Sequence, residues 1–460
     1  MLLLAGLGYA VLSSAVIPAL PSLQQSLHTT ELGSAWLLTA FLLSASVGTS
    51  IIGRLGDIYG KQRVLFWVLL VLAAGSLLAA VSQSLAMLVA ARVIQGVAGG
   101  IFPLAFAIAR DEFPPDRVAG SIGVMSSILG VGGGGGLVVG GLIVEHLSWH
   151  WLFWPPFAMT VLAAVFTWRY IPESQVRSPG RVNWPAAALM SIGLCSVLVA
   201  IAQATIWGWF AAPTLGLLAA GLAVCAGWVA VEVRSREPLI DMTMMRLRGV
   251  WTTNLAAFLL GAGMYSSFNV FPRFAQLPAS TGFGFGASVL VSSLYLLPSA
   301  LAMALFGALA GRVARRYGSK ASFVAGGTIS AVAFAYAVLE HHHPYDMVIT
   351  ATLLGVGIGL AFAALGNLIV QAVPPAQTGV ATGMNTVMRL LGGALGGQLS
   401  ATLIAAYTVN GLPAVTGFTN TYVMATLFLI VCVVVSFLIP NRRRAAESLA
   451  LGGEEEAAAP

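Results

Sequence analysis

Arg92 stands inside an apolar stretch that runs over 85–109. A guanidinium held in hydrocarbon costs ~2.5–3.5 kcal/mol on insertion scales, so such a residue faces the interior of a helical bundle and marks a working position. Its plainer alternative is to snorkel or to satisfy backbone carbonyls. Arg389, one turn after Asn385 in the stretch 380–408, is of the same kind. Asp57 lies between two apolar stretches, in the run Gly53-Arg54-Leu55-Gly56-Asp57-Ile58-Tyr59-Gly60-Lys61-Gln62-Arg63. A carboxylate beside helix ends and cations can clasp two segments through charge and helix-dipole contacts. The remaining acids fall at the ends of apolar stretches, in the connections or in the tail, Glu31 being such a boundary acid. With no acid in mid-stretch, a cavity would be lined by neutral groups. The candidates are Ser13, Ser14, Gln95, Gln203, Asn254, Tyr265, Asn269, Asn367 and Asn385, joined by Arg389. That lining suits neutral, amphipathic or weakly anionic molecules, although each group could instead bond between helices.

Other chemistries find no support. His341-His342-His343 follows Glu340 in a short polar connection and reads as a hydrated turn rather than a metal site. Cys195, Cys225 and Cys432 sit in apolar stretches without a CxxC pair and read as packing residues. There is no Walker-type loop, so nucleotide hydrolysis is not the expected energy source, and no cofactor is expected. The net charge of +6 comes from residues beside apolar stretches, with no basic patch interleaved by aromatics, so no nucleic-acid partner is expected.

The elements that must position these residues follow from composition. The chain is 58% hydrophobic and 8% charged over 460 residues, where a soluble protein carries roughly 25% charged residues. Its 52 glycines suit closely packed membrane helices. A helix needs ~20 residues to cross ~30 Å of hydrocarbon. Stretches of that order fall at 1–20, 33–53, 64–83, 85–109, 119–144, 151–171, 185–206, 212–232, 250–274, 285–311, 321–340, 346–372, 380–408 and 421–440, which makes fourteen spans. If the first ends outside, 19 of the 22 Lys and Arg residues fall on the cytoplasmic side, as the positive-inside rule asks. Both termini are then cytoplasmic, in a multi-pass protein of the cell membrane. No cleavable leader is expected. Met1 opens directly on an apolar stretch, which raises the expectation of a natural start upstream.

The chain repeats itself. The runs 53–63 and 311–320 both read as short charged loops between apolar stretches, and Gly53, Arg54, Tyr59 and Gly60 of the first return as Gly311, Arg312, Tyr317 and Gly318 of the second, shifted by 258. Pro114-Pro115 returns as Pro374-Pro375 and Gly123 as Gly383, shifted by 260, and a glycine-rich stretch follows in each half: Gly132 to Gly136 with Gly140 and Gly141, and Gly392, Gly393, Gly396 and Gly397. Spans 1–6 therefore match spans 9–14, leaving spans 7 and 8 as an inserted hairpin. The expected fold is an all-α membrane protein of two six-helix bundles with a two-helix insertion: 1–172 the first bundle, 173–248 the linker with the inserted helices, 249–440 the second bundle and 441–460 a polar cytoplasmic tail. Two related halves are the usual build of a transporter. The two copies differ, since Arg315 stands where Asp57 does.

These residues resemble the major facilitator superfamily, and most of all its 14-helix drug:proton antiporter branch, over essentially the whole chain. Gly53, Asp57, Gly60, Lys61 and Arg63 match the signature between helices 2 and 3, with Ile58 where a basic residue is usual. Arg92, Gln95, Gly96 and Gly99 match the helix-4 motif. Trp149-His150-Trp151-Leu152-Phe153-Trp154, Ile171-Pro172-Glu173-Ser174, Trp207-Gly208-Trp209 and Glu237-Pro238-Leu239-Ile240-Asp241 are similar to further markers of the branch. The resemblance implies a gate and conformational latch at Gly53 to Arg63, a coupling or conformational role for Arg92, and an antiporter motif at Gly136, Gly140 and Gly141, while the i, i+4 spacing of Gly132, Gly136 and Gly140 lets helices approach and slide. It departs at Leu137, where that motif has proline, and at Leu12, where close multidrug relatives carry an aspartate. The implied function is secondary active efflux, an amphipathic drug or other small molecule exchanged for protons by alternating access, with coupling through Arg92 or a boundary acid such as Glu31. The protein is expected as a monomer in the lipid bilayer. The alternatives are export of an endogenous metabolite or lipid and, more remotely, a membrane-embedded enzyme or non-transporting sensor. The first of these remote readings lacks a cluster of His, Asp or Cys at the spans, and the second lacks a soluble signalling domain.

Overall fold

Backbone groups find no partner in hydrocarbon except one another, so the apolar stretches fold as helices. The computed structural model describes residues 1–440 apart from 175, 410 and 411, and within its helices it leaves undescribed the side chains of residues 21, 31, 32, 35, 268 and 269. Glu31, Asn269 and the tail 441–460 thus lie, in side chain or entirely, outside the described residues. Among the described residues thirteen helices are long and apolar enough to cross a bilayer, and a shorter apolar one precedes them. The first half holds α1 (Leu2–Ala15), α2 (Leu20–Ser26), α3 (Glu31–Tyr59), α4 (Lys61–Ala80), α5 (Leu85–Val97), α6 (Ile101–Glu112), α7 (Pro115–His146) and α8 (Trp154–Tyr170). The inserted hairpin is α9 (Trp184–Trp207) and α10 (Ala212–Arg234), followed by the short α11 (Met242–Arg246). The second half holds α12 (Arg248–Gln276), α13 (Val289–Tyr317), α14 (Ser319–Leu339), α15 (Pro344–Ala372), α16 (Thr378–Ala406) and α17 (Val415–Ser436).

Three local features differ from the sequence expectation. The first span is broken: Val16 to Ala19 form turns between α1 and α2. Pro18 has no N–H to give to residue 14 and its ring crowds that carbonyl. The Ser14 carbonyl instead accepts from Ile17 N at 3.0 Å. The fourth span is α5 and α6 joined by a 3-10 turn at Ala98–Gly100. Most consequentially, 53–63 and 311–320 are not loops. α3 and α13 stay helical through Tyr59 and Tyr317, and the chain reverses at one glycine each, Gly60 with φ 109° and Gly318 with φ 89°. Only glycine takes that backbone conformation without strain, which is why the glycine repeats.

Each half has its own apolar core, around Leu12, Leu65 and Leu88 in the first and around Phe271, Phe334 and Phe418 in the second. A further cluster joins α6, α7, α9, α15 and α16 across the halves. Two helices in corresponding positions make the cross-half seams. α7 lies between α1 and α13: Gly132, Gly136 and Gly140 abut α1 at Ala10, Ser14 and Ala15, while Gly123, Gly130 and Gly134 abut α13 at Gly307, Met303 and Ala300. α16 lies between α12 and α3: Gly392 and Gly396 abut α12 at Phe258 and Ala262, while Gly379 and Gly383 abut α3 at Gly53 and Thr49. α9 packs on both α3 and α16, and α10 packs on α9.

Candidate functional site

The residues of the 53–63 run gather at the end of the bundle where the basic side chains concentrate. Asp57, in the last turn of α3, is fully buried. Its Oδ1 accepts from Gly379 N at 3.0 Å and its Oδ2 from Val380 N at 2.9 Å. These N–H groups belong to the first turn of α16, where a helix has no internal partner for them and carries partial positive charge. A carboxylate of one half thus caps a helix of the other. The approach needs glycine: a Cβ on Gly379 would lie 2.7 Å from Asp57 Oδ1. Lys61, also fully buried, pairs with Asp111, and Ser174 Oγ donates to the same Asp111 Oδ2 at 2.5 Å. Arg63 N donates to Glu173 Oε2 at 3.2 Å. Ser178 N donates to the Asp57 carbonyl at 2.6 Å, and Arg54 Nη1 to Ser178 Oγ at 3.2 Å. Arg110 Nη1 donates to Thr378 Oγ1 at 2.8 Å, a second bond between the halves. Glu173, Ser174 and Ser178 of the connection after α8 therefore strap this end. Sequence reasoning missed Arg54, Arg110, Asp111, Ser178 and Thr378 as site residues, and it gave Glu173 and Ser174 only as markers. Arg315, the counterpart of Asp57 on α13, lies against the second turn of α7, its Nη1 3.3 Å from where a Cβ of Gly120 would be.

Arg92 is fully buried within the first half. Its Nε donates to Leu37 O at 3.1 Å, its Nη1 to Leu12 O at 3.4 Å and to Gln95 Oε1 at 2.8 Å. Its Cζ stands 4.2 Å above the Phe41 ring, and Nη2 has no hydrogen-bond partner. Gln95 Nε2 donates to Gly75 O at 3.2 Å. Together the two side chains tie α1, α3, α4 and α5. Leu12 itself is packed into the first half's core.

Between the halves lies a cavity of about 10 Å³ walled by Phe102, Phe106, Leu129, Phe362, Gly366, Ile369, Thr382, Asn385, Thr386 and Arg389. Arg389 Cζ stands 4.2 Å above the Phe362 ring, and its Nε has no hydrogen-bond partner. Asn385 Nδ2 donates to Asn254 Oδ1 at 3.0 Å, linking α16 to α12. The structure thus brings Asn385 and Arg389 to the cavity wall, with Asn254 behind them. It places the other described candidates elsewhere. Asn367 Nδ2 donates to Ala119 O at 3.3 Å across the halves. Ser14 Oγ donates to Gly132 O at 3.0 Å, fastening α1 to α7, and Ser13 Oγ bonds its own helix at Ala10 O, 2.8 Å. The half-buried Tyr265 packs its ring on Gly393, and Gln203 lies half-buried on α9.

At the opposite end, His341 Nδ1 lies 3.0 Å from Ala337 O and its ring meets Phe274 edge-on at 6.0 Å. Burial pushes this imidazole's pKa below the ordinary histidine value. Among the described residues no group of three or more His, Cys, Asp and Glu is placed to hold a metal.

Comparison with known proteins agrees with this architecture. The chain is 26% identical over 389 residues to "Multidrug resistance protein 3" of Bacillus subtilis, covering 82% of this chain and 74% of that one. It is 28% identical over 381 residues to the "Tetracenomycin C resistance and export protein" of Streptomyces glaucescens, covering 81% and 69%. The crystal structure of the human organic anion transporter MFSD10 (TETRAN) superposes with a TM-score of 0.65 at 17% identity, over 93% of this chain and 98% of that one, a likeness of fold. The Major Facilitator Superfamily model matches residues 2–397 and again 253–459, the second match beginning near the start of the repeated half. With its two six-helix halves, inserted hairpin and cross-half seams, the chain belongs to the Major Facilitator Superfamily of membrane transporters.

Proposed function

We propose that the chain is a secondary active exporter that exchanges protons for amphipathic small molecules, drugs among them, by alternating access of the cavity between its halves. The observation that carries this reading is the clasp of Asp57 on the first turn of α16, 322 residues away. It joins the halves at one end by hydrogen bonds that can break and re-form, as a gate requires. The distribution of Lys and Arg supports a cytoplasmic position for that end and for both termini, and on this reading the conformation described is the one shut toward the cytoplasm. The names of the relatives, resistance and export proteins, support drugs as cargo. Arg92, with Glu31 as a boundary acid, is proposed for proton coupling, and Gly132, Gly136, Gly140 and Gly141 for the sliding contact that rocking needs. The working unit is proposed to be a monomer.

The test is expression in a host lacking its own pumps. Susceptibility to a panel of amphipathic antibiotics and the retention of fluorescent dyes are measured with and without a protonophore. Lower susceptibility and faster efflux, both abolished by the protonophore, are expected. Efflux that persists without a proton gradient removes the coupling, and retention indistinguishable from the empty host across the panel removes drug export in favour of an endogenous metabolite or lipid.

A further inference from the structure

We propose that the central cavity recognises the anionic group of an amphipathic organic acid, a carboxylate or sulfonate, through the guanidinium of Arg389. This rests on the exporter reading and names its substrate class. All 16 acidic residues of the chain lie at span ends, in connections or in the tail, while two arginines lie well inside spans. Arg92 is largely satisfied, by two carbonyls and Gln95. Arg389 is not: it lines the cavity with Nε unbonded. A buried guanidinium without a counter-charge is costly, and an entering carboxylate offers the two parallel oxygens its planar fork matches. The walls suit the rest of such a molecule. Phe102, Phe106 and Phe362 present aromatic surface for an apolar body. Tyr9 lies tilted on Phe41 at 5.6 Å and edge-on to Phe102 at 6.3 Å, and so backs the aromatic wall. Arg389 is 11 residues from the start of α16, ~16 Å along its axis, too deep for lipid headgroups. At about 10 Å³ the cavity holds no more than a water here, so the acid enters after the halves part.

The test is equilibrium binding to the purified full chain in uncharged detergent, using three probes of one shape: 1-naphthoate, 1-naphthamide and 1-naphthylmethylammonium. The wild type is expected to bind the naphthoate at least about tenfold more tightly than the naphthamide, and the cation most weakly. R389Q is expected to bring the naphthoate-to-naphthamide ratio to about one. N385D, which sets a carboxylate one turn from the guanidinium, is expected to bring it to one or below, and it decides the matter if R389Q does not fold. Equal wild-type affinities, or a ratio that survives R389Q or N385D, overturns the assignment. Binding is read without a gradient, so the two readings fail separately. Naphthoate bound through Arg389 but never driven across vesicles sinks only the exporter. Gradient-driven naphthamide movement with no preference for the anion sinks only this inference.

Discussion

The two seams between the halves are built from corresponding helices and work differently. The α7–α13 seam is long and nearly uncharged: glycines from Gly123 to Gly134 meet Gly307, Met303 and Ala300, and Gly141 comes within van der Waals reach of Leu290. The α3–α16 seam is short. Its named contacts run from Thr49 to Asp57 and from Gly379 to Gly383, and a buried carboxylate closes it. Small residues in hydrocarbon let backbones approach without fixing one register, whereas a charged cap on a helix N-terminus has one geometry. On the proposed mechanism the first seam rolls while the second is made and broken, which would turn the sequence asymmetry between Asp57 and Arg315 into an asymmetry of mechanism.

The largest effect is expected where the clasp is cut. D57N leaves one accepting oxygen for two N–H groups and removes the charge, weakening the closed seam by ~2–3 kcal/mol, an opening shift on the order of 30- to 150-fold. Its readout is labelling of T382C by an impermeant thiol reagent in a chain lacking Cys195, Cys225 and Cys432. Labelling from the basic end should rise and transport should fall, and wild-type flux in D57N would refute the latch. G379A should mimic this more weakly, by ~1–3 kcal/mol, because its Cβ meets Asp57 Oδ1. In contrast, G134A on the rolling seam collides with Ala300. It should lower thermal stability and transport while leaving T382C labelling balanced, and skewed labelling would erase the distinction between the seams. The smallest effect lies at the opposite end. The lowered pKa of His341 means the unfolded chain binds the proton more tightly. Its contribution is complete above the ordinary histidine pKa of ~6.5 and fades as pH falls through the lower folded value. Melting temperature should decline slightly between neutral and mildly acidic pH, and H341N should flatten that decline.

The spans, the duplication and the inserted hairpin were legible because hydrocarbon imposes length and apolarity, which any window of sequence displays. Asp57 and Arg92 stood out because charge there is expensive. What was hidden is pairing across the chain. Nothing near residue 57 names Gly379, and nothing near Asp111 names Ser174, because such partners come together only once the helices pack. The sequence likewise could not show that 53–63 is the end of a long helix: its charges look like a loop until Gly60 and its φ of 109° are seen to make the whole turn. Among the cavity candidates, polar character alone could not separate Ser14, spent on Gly132, from Asn385 and Arg389 on the cavity wall.

The hairpin α9–α10 has one more consequence. α9 leans on α3 and on α16, with Trp209 Nε1 donating to Thr402 Oγ1 at 2.7 Å, so it shutters the breakable seam from the acyl chains. The rolling seam is flanked by exposed Val131 and Leu301 and meets those chains directly. A hydrophobic molecule dissolved in the membrane therefore faces a doorway with a screen on one side of the protein and a bare wall of glycines on the other.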